Sequence, residues 1–134
     1  MSERVLLKDD DEILFRQIHP KLLDEGDPDS SNFMPKPSDQ NLLSVDRSSI
    51  TTASDAYNLY IQGGKESAAV YGVSVVEFRN EDVSCFEDPL VATATILANP
   101  AHAVADYSKM GSSAQRKTAK KLKLRAIARN KLYP

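Results

Sequence analysis

Residues 68–78, AAVYGVSVVEF, decide the reading of this chain. Val73, Val75 and Glu77 alternate with Ser74, Val76 and Phe78, and β-branched and aromatic side chains dominate, which predicts a strand across Ala68–Phe78. Asn80-Glu81-Asp82 supplies its stop. Immediately upstream, Ala53, Ala56, Tyr57, Tyr60 and Ile61 recur at helical spacing and predict a helix over Thr52–Gln62 with one buried stripe. Thr52 is placed to cap it, Asp55 stands where a capping box needs an acid, and Gly63-Gly64 ends it.

Outward from this pair the chain offers shorter strands. Ile13–Ile18 is apolar and closes at His19-Pro20, where the proline biases its predecessor toward extended geometry. Leu42–Val45, Val83–Phe86 and Ala103–Tyr107 complete the set, the last entered through Asn99-Pro100. Between Asp24 and Gln40 the sequence is rich in Gly, Pro, Ser, Asn and Asp and reads as a long surface loop pinned by Phe33 and Met34. Loops of that length in compact domains usually bind something or are disordered. Residues 1–12 read as a solvated acidic lead-in and 13–134 as one domain. The expected fold is α+β: a small, mainly antiparallel sheet packed by the Thr52–Gln62 helix and a basic C-terminal helix over 113–131.

Charge is segregated along the chain. Ala114–Pro134 holds Arg116, Lys117, Lys120, Lys121, Lys123, Arg125, Arg129 and Lys131 and no acid, while all 19 acids precede it against nine bases. Ser113 is the expected N-cap of this segment, whose Ala, Leu, Lys, Arg and Gln are strong helix formers. Ala119, Leu122, Ala126 and Ile127 fall on one face, with Lys117, Lys121, Arg125 and Arg129 opposite. Like charges at i,i+4 weaken such a helix, so contacts elsewhere must compensate. A cationic face suits an acidic protein partner, a phosphate backbone, or the chain's own negative body. For nucleic acid, the aromatic residues that stack single strands are missing from the segment, and no helix-turn-helix or zinc finger precedes it.

Leu14–Pro20 (LFRQIHP), Leu43–Arg47 (LSVDR), Thr51–Tyr57 (TTASDAY) and Asn99–Val104 (NPAHAV) occur in this order, followed by the basic end. Together they resemble segments of a group of small uncharacterised bacterial proteins, over residues 13–134. The resemblance implies a small bacterial cytoplasmic protein and implies no activity.

Catalytic signatures are sparse. His19 and His102 each sit near a proline, at the end and the beginning of predicted strands. With Arg47 to grip phosphate, and Asp46 and Asp106 nearby, they could perform acid–base chemistry on a nucleotide or phosphorylated substrate. The plainer alternative is that both imidazoles hydrogen-bond loop carbonyls, and that Asp46-Arg47 is a local ion pair. Zinc usually takes three or four His, Cys or carboxylate ligands at recognisable spacing, and two distant histidines with Cys85 do not match that pattern. Cys85, beside Phe86 in a predicted strand, reads as a small core residue. Gly63-Gly64-Lys65-Glu66-Ser67 lacks P-loop spacing and closes a helix instead of opening one, and no Gly-x-Ser-x-Gly elbow occurs. The single cysteine excludes an intramolecular disulfide, and no signal-peptide core or bilayer-length apolar run is present.

The leading expectation is thus a non-enzymatic cytoplasmic interaction protein needing no cofactor or metal. Phe33 in the 24–40 loop, with Lys117, Lys121, Arg125 and Arg129, would contact an acidic partner. The alternatives are an enzyme built on His19, Arg47 and His102, and a nucleic-acid accessory factor.

Overall fold

The structure, a computed structural model, describes residues 4–134. In chain order the elements are β1 (Ile13–Ile18), β2 (Leu23–Asp24), β3 (Asp27–Pro28), β4 (Leu42–Arg47), α1 (Ala53–Gln62), β5 (Ala69–Ser74), α2 (Val75–Arg79), β6 (Ser84–Glu87), β7 (His102–Asp106) and α3 (Ser112–Arg129). Five strands form one antiparallel sheet in the order β5-β1-β4-β7-β6, and β2 pairs with β3 in a separate ribbon. The architecture is α+β, as the strand and helix patterns predict.

The period-two alternation of the strands sorts side chains onto two faces. Leu14, Ile18, Leu43, Val45, Tyr71, Val73, Ala103 and Ala105 face α3, whose Ala119, Leu122 and Ala126 complete the main core. Burial of this stripe, together with Gln115 donating to Asn41 Oδ1 at 3.0 Å and to the Met110 carbonyl at 3.1 Å, supplies the compensation that a helix of adjacent cations requires. The opposite face carries a smaller cluster of Phe15, Ala56 and Val70, covered by α1 and by Leu132 and Tyr133 of the C-terminal tail. Val70 donates to the Tyr133 carbonyl at 2.7 Å and accepts from Leu132 at 2.9 Å, so the tail extends the sheet beyond β5.

Several local expectations are corrected. The strand at residues 68–78 stops at Ser74, whose hydroxyl accepts from the Glu77 amide while Glu77 accepts from the Ser74 amide; this capping box turns 75–79 into a helix despite its β-branched residues. Thr52 does cap α1, accepting from the Asp55 amide at 3.1 Å. The expected α1 stripe is narrower, with Ala56 buried and Ile61 exposed, because the helix covers only one side of the sheet face. Gly111 occupies the N-cap of α3, so Ser113 lies inside it.

Residues 24–40 are an ordered cover over the core. Two short 3-10 turns, Ser30–Phe33 and Pro37–Asp39, follow the β2–β3 ribbon. Buried Asn32 ties its amide to the Leu22 and Asp29 carbonyls and accepts from the His19 amide. Of the expected lead-in 1–12, residues 1–3 lie outside the described residues, and residues 5–12 pack on the domain. Leu7 is buried, its amide donates to the Cys85 carbonyl, and Glu87 donates to Val5, which lines residues 5–7 along the free edge of β6.

Candidate functional site

The cluster of Phe15, Ala56 and Val70 covers only the β5–β1 side of its sheet face. On the remainder, Ser44 and Asp46 of β4 and His102 of β7 line a pocket of about 160 Å3, with Gln17 of β1 buried at its floor. One wall is α1, with Ala56, Leu59 and Tyr60; the other is the loop between β6 and β7, with Leu90, Ile96 and Leu97. That loop is closed at its base by reciprocal backbone bonds between Leu90 and Asn99, both 2.9 Å, and turned at its tip by Thr93, which accepts from the Ile96 amide. Lys65 lies at the rim with its ammonium 5.3 Å from the centre of the Tyr60 ring.

Asp46 and His102 stand directly opposite each other on β4 and β7. Backbone bonds fall on the odd registers of β4, from Arg47 to the Ala101 carbonyl next to this pair and from Tyr107 to the Asn41 carbonyl at the far end. Asp46–His102 is therefore a non-hydrogen-bonded pair, the register at which facing side chains come closest. Asp46 Oδ1 accepts from Asn99 Nδ2 at 2.8 Å. Burial pushes its carboxyl above the usual aspartate range, and the Asn99 bond and the nearby His102 and Arg16 only partly oppose this. His102 Nδ1 lies 2.9 Å from the Asp88 carbonyl and 3.1 Å from Asp88 Oδ2. Both partners are acceptors, so Nδ1 carries a proton, and in the uncharged tautomer the lone pair lies on Nε2. The floor of the site thus sets a carboxyl whose acid form burial stabilises opposite an imidazole held by Asp88.

Gln17 is the other unusual group. It is buried, and neither Nε2 nor Oε1 has a hydrogen-bond partner. The strands open beside it. β1 and β4 pair only at Leu14–Arg47 and Phe15–Asp46, after which the strands part. Arg16 fills the opening, donating from Nη1 to the Ser44 carbonyl at 3.0 Å and from Nε to the Asn32 carbonyl at 2.6 Å. The Ser44 carbonyl, which the continued register would offer to the Gln17 backbone amide, accepts from Arg16 instead.

The histidine–arginine site expected from the sequence does not assemble. His19 lies four residues beyond Phe15, about 13 Å along the strand from the Asp46–His102 register. Its Nδ1 accepts from the Lys21 amide. Arg47 points elsewhere, with Nη2 3.1 Å from Glu12 Oε1 and Nη1 3.6 Å from Glu87 Oε2. Glu12 is buried, and burial would raise its carboxyl. Bonds from Arg47 and from the Ser49 hydroxyl and amide outweigh that and hold it below the usual range. Arg47 is therefore a structural cation, and only His102 of the three lines the pocket.

Phe33 is fully buried, and its carbonyl accepts from the Tyr107 hydroxyl, so it has no exposed ring to offer a partner. On α3, Arg129 pairs with Glu77, Lys121 with Glu81 at 3.3 Å and Lys123 with Asp24 at 3.9 Å. Among the described residues, Arg116, Lys117, Lys120, Arg125 and Lys131 reach no carboxylate within 4.0 Å. Cys85 is buried in the main core. No cluster of three or more His, Cys or carboxylate side chains among the described residues could hold a metal ion, and no helix among them is long and apolar enough to cross a membrane.

Gln17, Asn99 and the wall loop were not singled out by the sequence reading. A signal for the loop is present: residues 89–100, PLVATATILANP, are uncharged, largely apolar and bounded by prolines, an odd composition for an exposed connection. Gln17 carries no such mark, since its burial depends on where β1 and β4 part. No family model, curated protein or solved structure matches the chain.

Proposed function

We propose that this chain binds a small uncharged molecule between α1 and the 88–100 loop and acts on it by proton transfer, with Asp46 as acid and His102 as base. The observation that carries this reading is the Asp46–His102 pair on the floor of a pocket with largely apolar walls. A low-polarity pocket with a few convergent polar groups and a shifted carboxyl is the usual form of a ligand site. Phosphate recognition loses its support, because Arg47 is held by Glu12 and Glu87 and Arg16 by two backbone carbonyls. The test is a two-dimensional NMR screen of small neutral fragments. Shifts should cluster at residues 15–17, 44–46, 59–60, 96–99 and 102; fragments that perturb only other surfaces, or none at all, contradict the reading.

A second reading keeps the expectation of an acidic protein partner for the basic helix. It is favoured by the five α3 and tail cations that reach no carboxylate among the described residues. Here the contact residues become Lys117, Lys120 and Arg125; Lys121 and Arg129, paired with Glu81 and Glu77, and buried Phe33 are withdrawn. Binding of poly-glutamate at low salt that the triple change to Glu abolishes supports it. Binding of duplex DNA in preference to poly-glutamate would instead favour nucleic acid, and binding of neither removes both.

A further inference from the structure

The acid–base reading leaves the Gln17 amide unused. We infer that the pocket's ligand is a flat, neutral heterocycle of nucleobase type, presenting an N–H donor beside an acceptor on one edge, and that Gln17 reads that edge. The inference rests on the pocket being a small-molecule site and adds what the molecule must look like.

Gln17 offers a donor and an acceptor side by side, both buried and both without a partner. The other floor groups are committed at least in part: Arg16 to two carbonyls, Asp46 Oδ1 to Asn99, and His102 Nδ1 to Asp88. A side-chain amide pairs in bidentate fashion with an adjacent donor and acceptor, which is how Gln and Asn read adenine. A lactam edge has the same pattern.

Size, walls and charge agree with this. A cavity of about 150 Å3 accommodates a benzene ring, and this pocket, open on one side, is about 160 Å3. Phe15 and Tyr60 contribute aromatic surface, against which a flat π-system gains more than an aliphatic ligand does. The guanidinium of Arg16 is tied to backbone and the ammonium of Lys65 sits against Tyr60, so no free cation waits on the floor for an anion. The amide atoms are shut off from solvent as well as from partners, so the bond forms only as the lining gives way. The wall loop is the segment with least to lose. Its Ile96 and Leu97 are partly exposed, and its backbone is held chiefly by the Leu90–Asn99 pair and the Thr93–Ile96 turn.

A specific signature follows: the group that binds the ligand is a burden on the empty fold. Binding of 2-pyridone and of N-methyl-2-pyridone, which keeps the ring and carbonyl but lacks the N–H, is compared by NMR titration in the wild type and in Gln17→Leu. Gln17→Met serves as a second variant should Leu disturb the sheet. The wild type should bind 2-pyridone about tenfold more tightly than its methylated analogue. The variant should lose that preference while melting at a higher temperature. Equal binding of the two probes at the pocket overturns the heterocycle inference and leaves the pocket reading intact. So does failure of both probes where other neutral fragments bind there. If no fragment of any kind perturbs the pocket, both readings fall together.

Discussion

Arg129 Nη1 lies 2.8 Å from Glu77 Oε1 and 2.9 Å from the Gly72 carbonyl, so one guanidinium joins the last turn of α3 to α2 and to the edge of the sheet. Glu77 in turn accepts from the Ser74 amide. Burial would raise the Glu77 carboxyl, and the Arg129 bond, aided by Ser74, more than offsets it. A residue that charge pattern alone assigns to a partner is therefore part of the fold. Arg129→Ala should lower unfolding stability by about 2 kcal/mol, read from the midpoint of urea denaturation. A change within error would show that the bond is not maintained in solution.

Glu12 and Asp46 make opposite pH dependences. The folded-state pKa of Glu12 lies below its unfolded value, so its contribution is fully present above about pH 4.5 and is lost as pH falls through the folded value. Glu12→Gln should remove much of this acid sensitivity and, by leaving Arg47 with a neutral partner, cost about 2–3 kcal/mol at neutral pH. Asp46 has its folded pKa raised, so the fold binds the extra proton, and stability declines as pH rises from about 3.8 through the folded value. Asp46→Asn should abolish that decline and be more stable than wild type at neutral pH. Thermal melts across pH 3–8 check both signs.

Gly72 sits where the tail and β1 approach β5 most closely. A Cβ there would come within 2.6 Å of Ile13 Cγ2 and 2.8 Å of Leu132 Cδ1. Gly72→Ala should cost about 1–3 kcal/mol through overpacking, with the loss visible as faster amide exchange at Val70 and Leu132, whose bonds hold the tail. Unchanged exchange at those two amides would mean the tail is anchored otherwise.

Cys85 gives a reporter of global opening. Burial pushes its thiol up to about 12, so the reactive thiolate is scarce at neutral pH. Labelling by a thiol reagent should be slow in the native protein and complete in denaturant. Prompt labelling without denaturant would contradict the packing of β6 against α2 and Leu7.

How much of this was legible in the sequence differs by scale. Alternation and breakers located four of the five sheet strands closely, because Ile13–Ile18 and Ala103–Tyr107 owe their form to local pattern and to Pro20 and Pro100. The exception, at 69–79, shows a cap overriding propensity: Ser74 and Glu77 satisfy each other's backbone amides, and β-branched Val75 and Val76 follow into a helix. The site was legible only in fragments. His102 and Asp46 were noticed as residues near strand ends, but their pairing depends on the β4–β7 register, which no local pattern encodes. Arg47 and His19 were misassigned for the same reason, since Glu12 and the strand length separate them from the pocket. Gln17 was invisible because a lone polar residue in an apolar strand carries no sign that its side chain will be buried without a partner.

The central claim is that Asp46 and His102 face one pocket as an acid and a base. The most direct measurement follows the Asp46 carboxyl carbon and the His102 ring nitrogens by NMR as pH is varied. The account predicts an Asp46 midpoint above 3.8, with His102 in the Nδ1–H tautomer when neutral and its nitrogen shifts responding as Asp46 ionises. An Asp46 midpoint at or below 3.8, or a proton resting on Nε2, would contradict it.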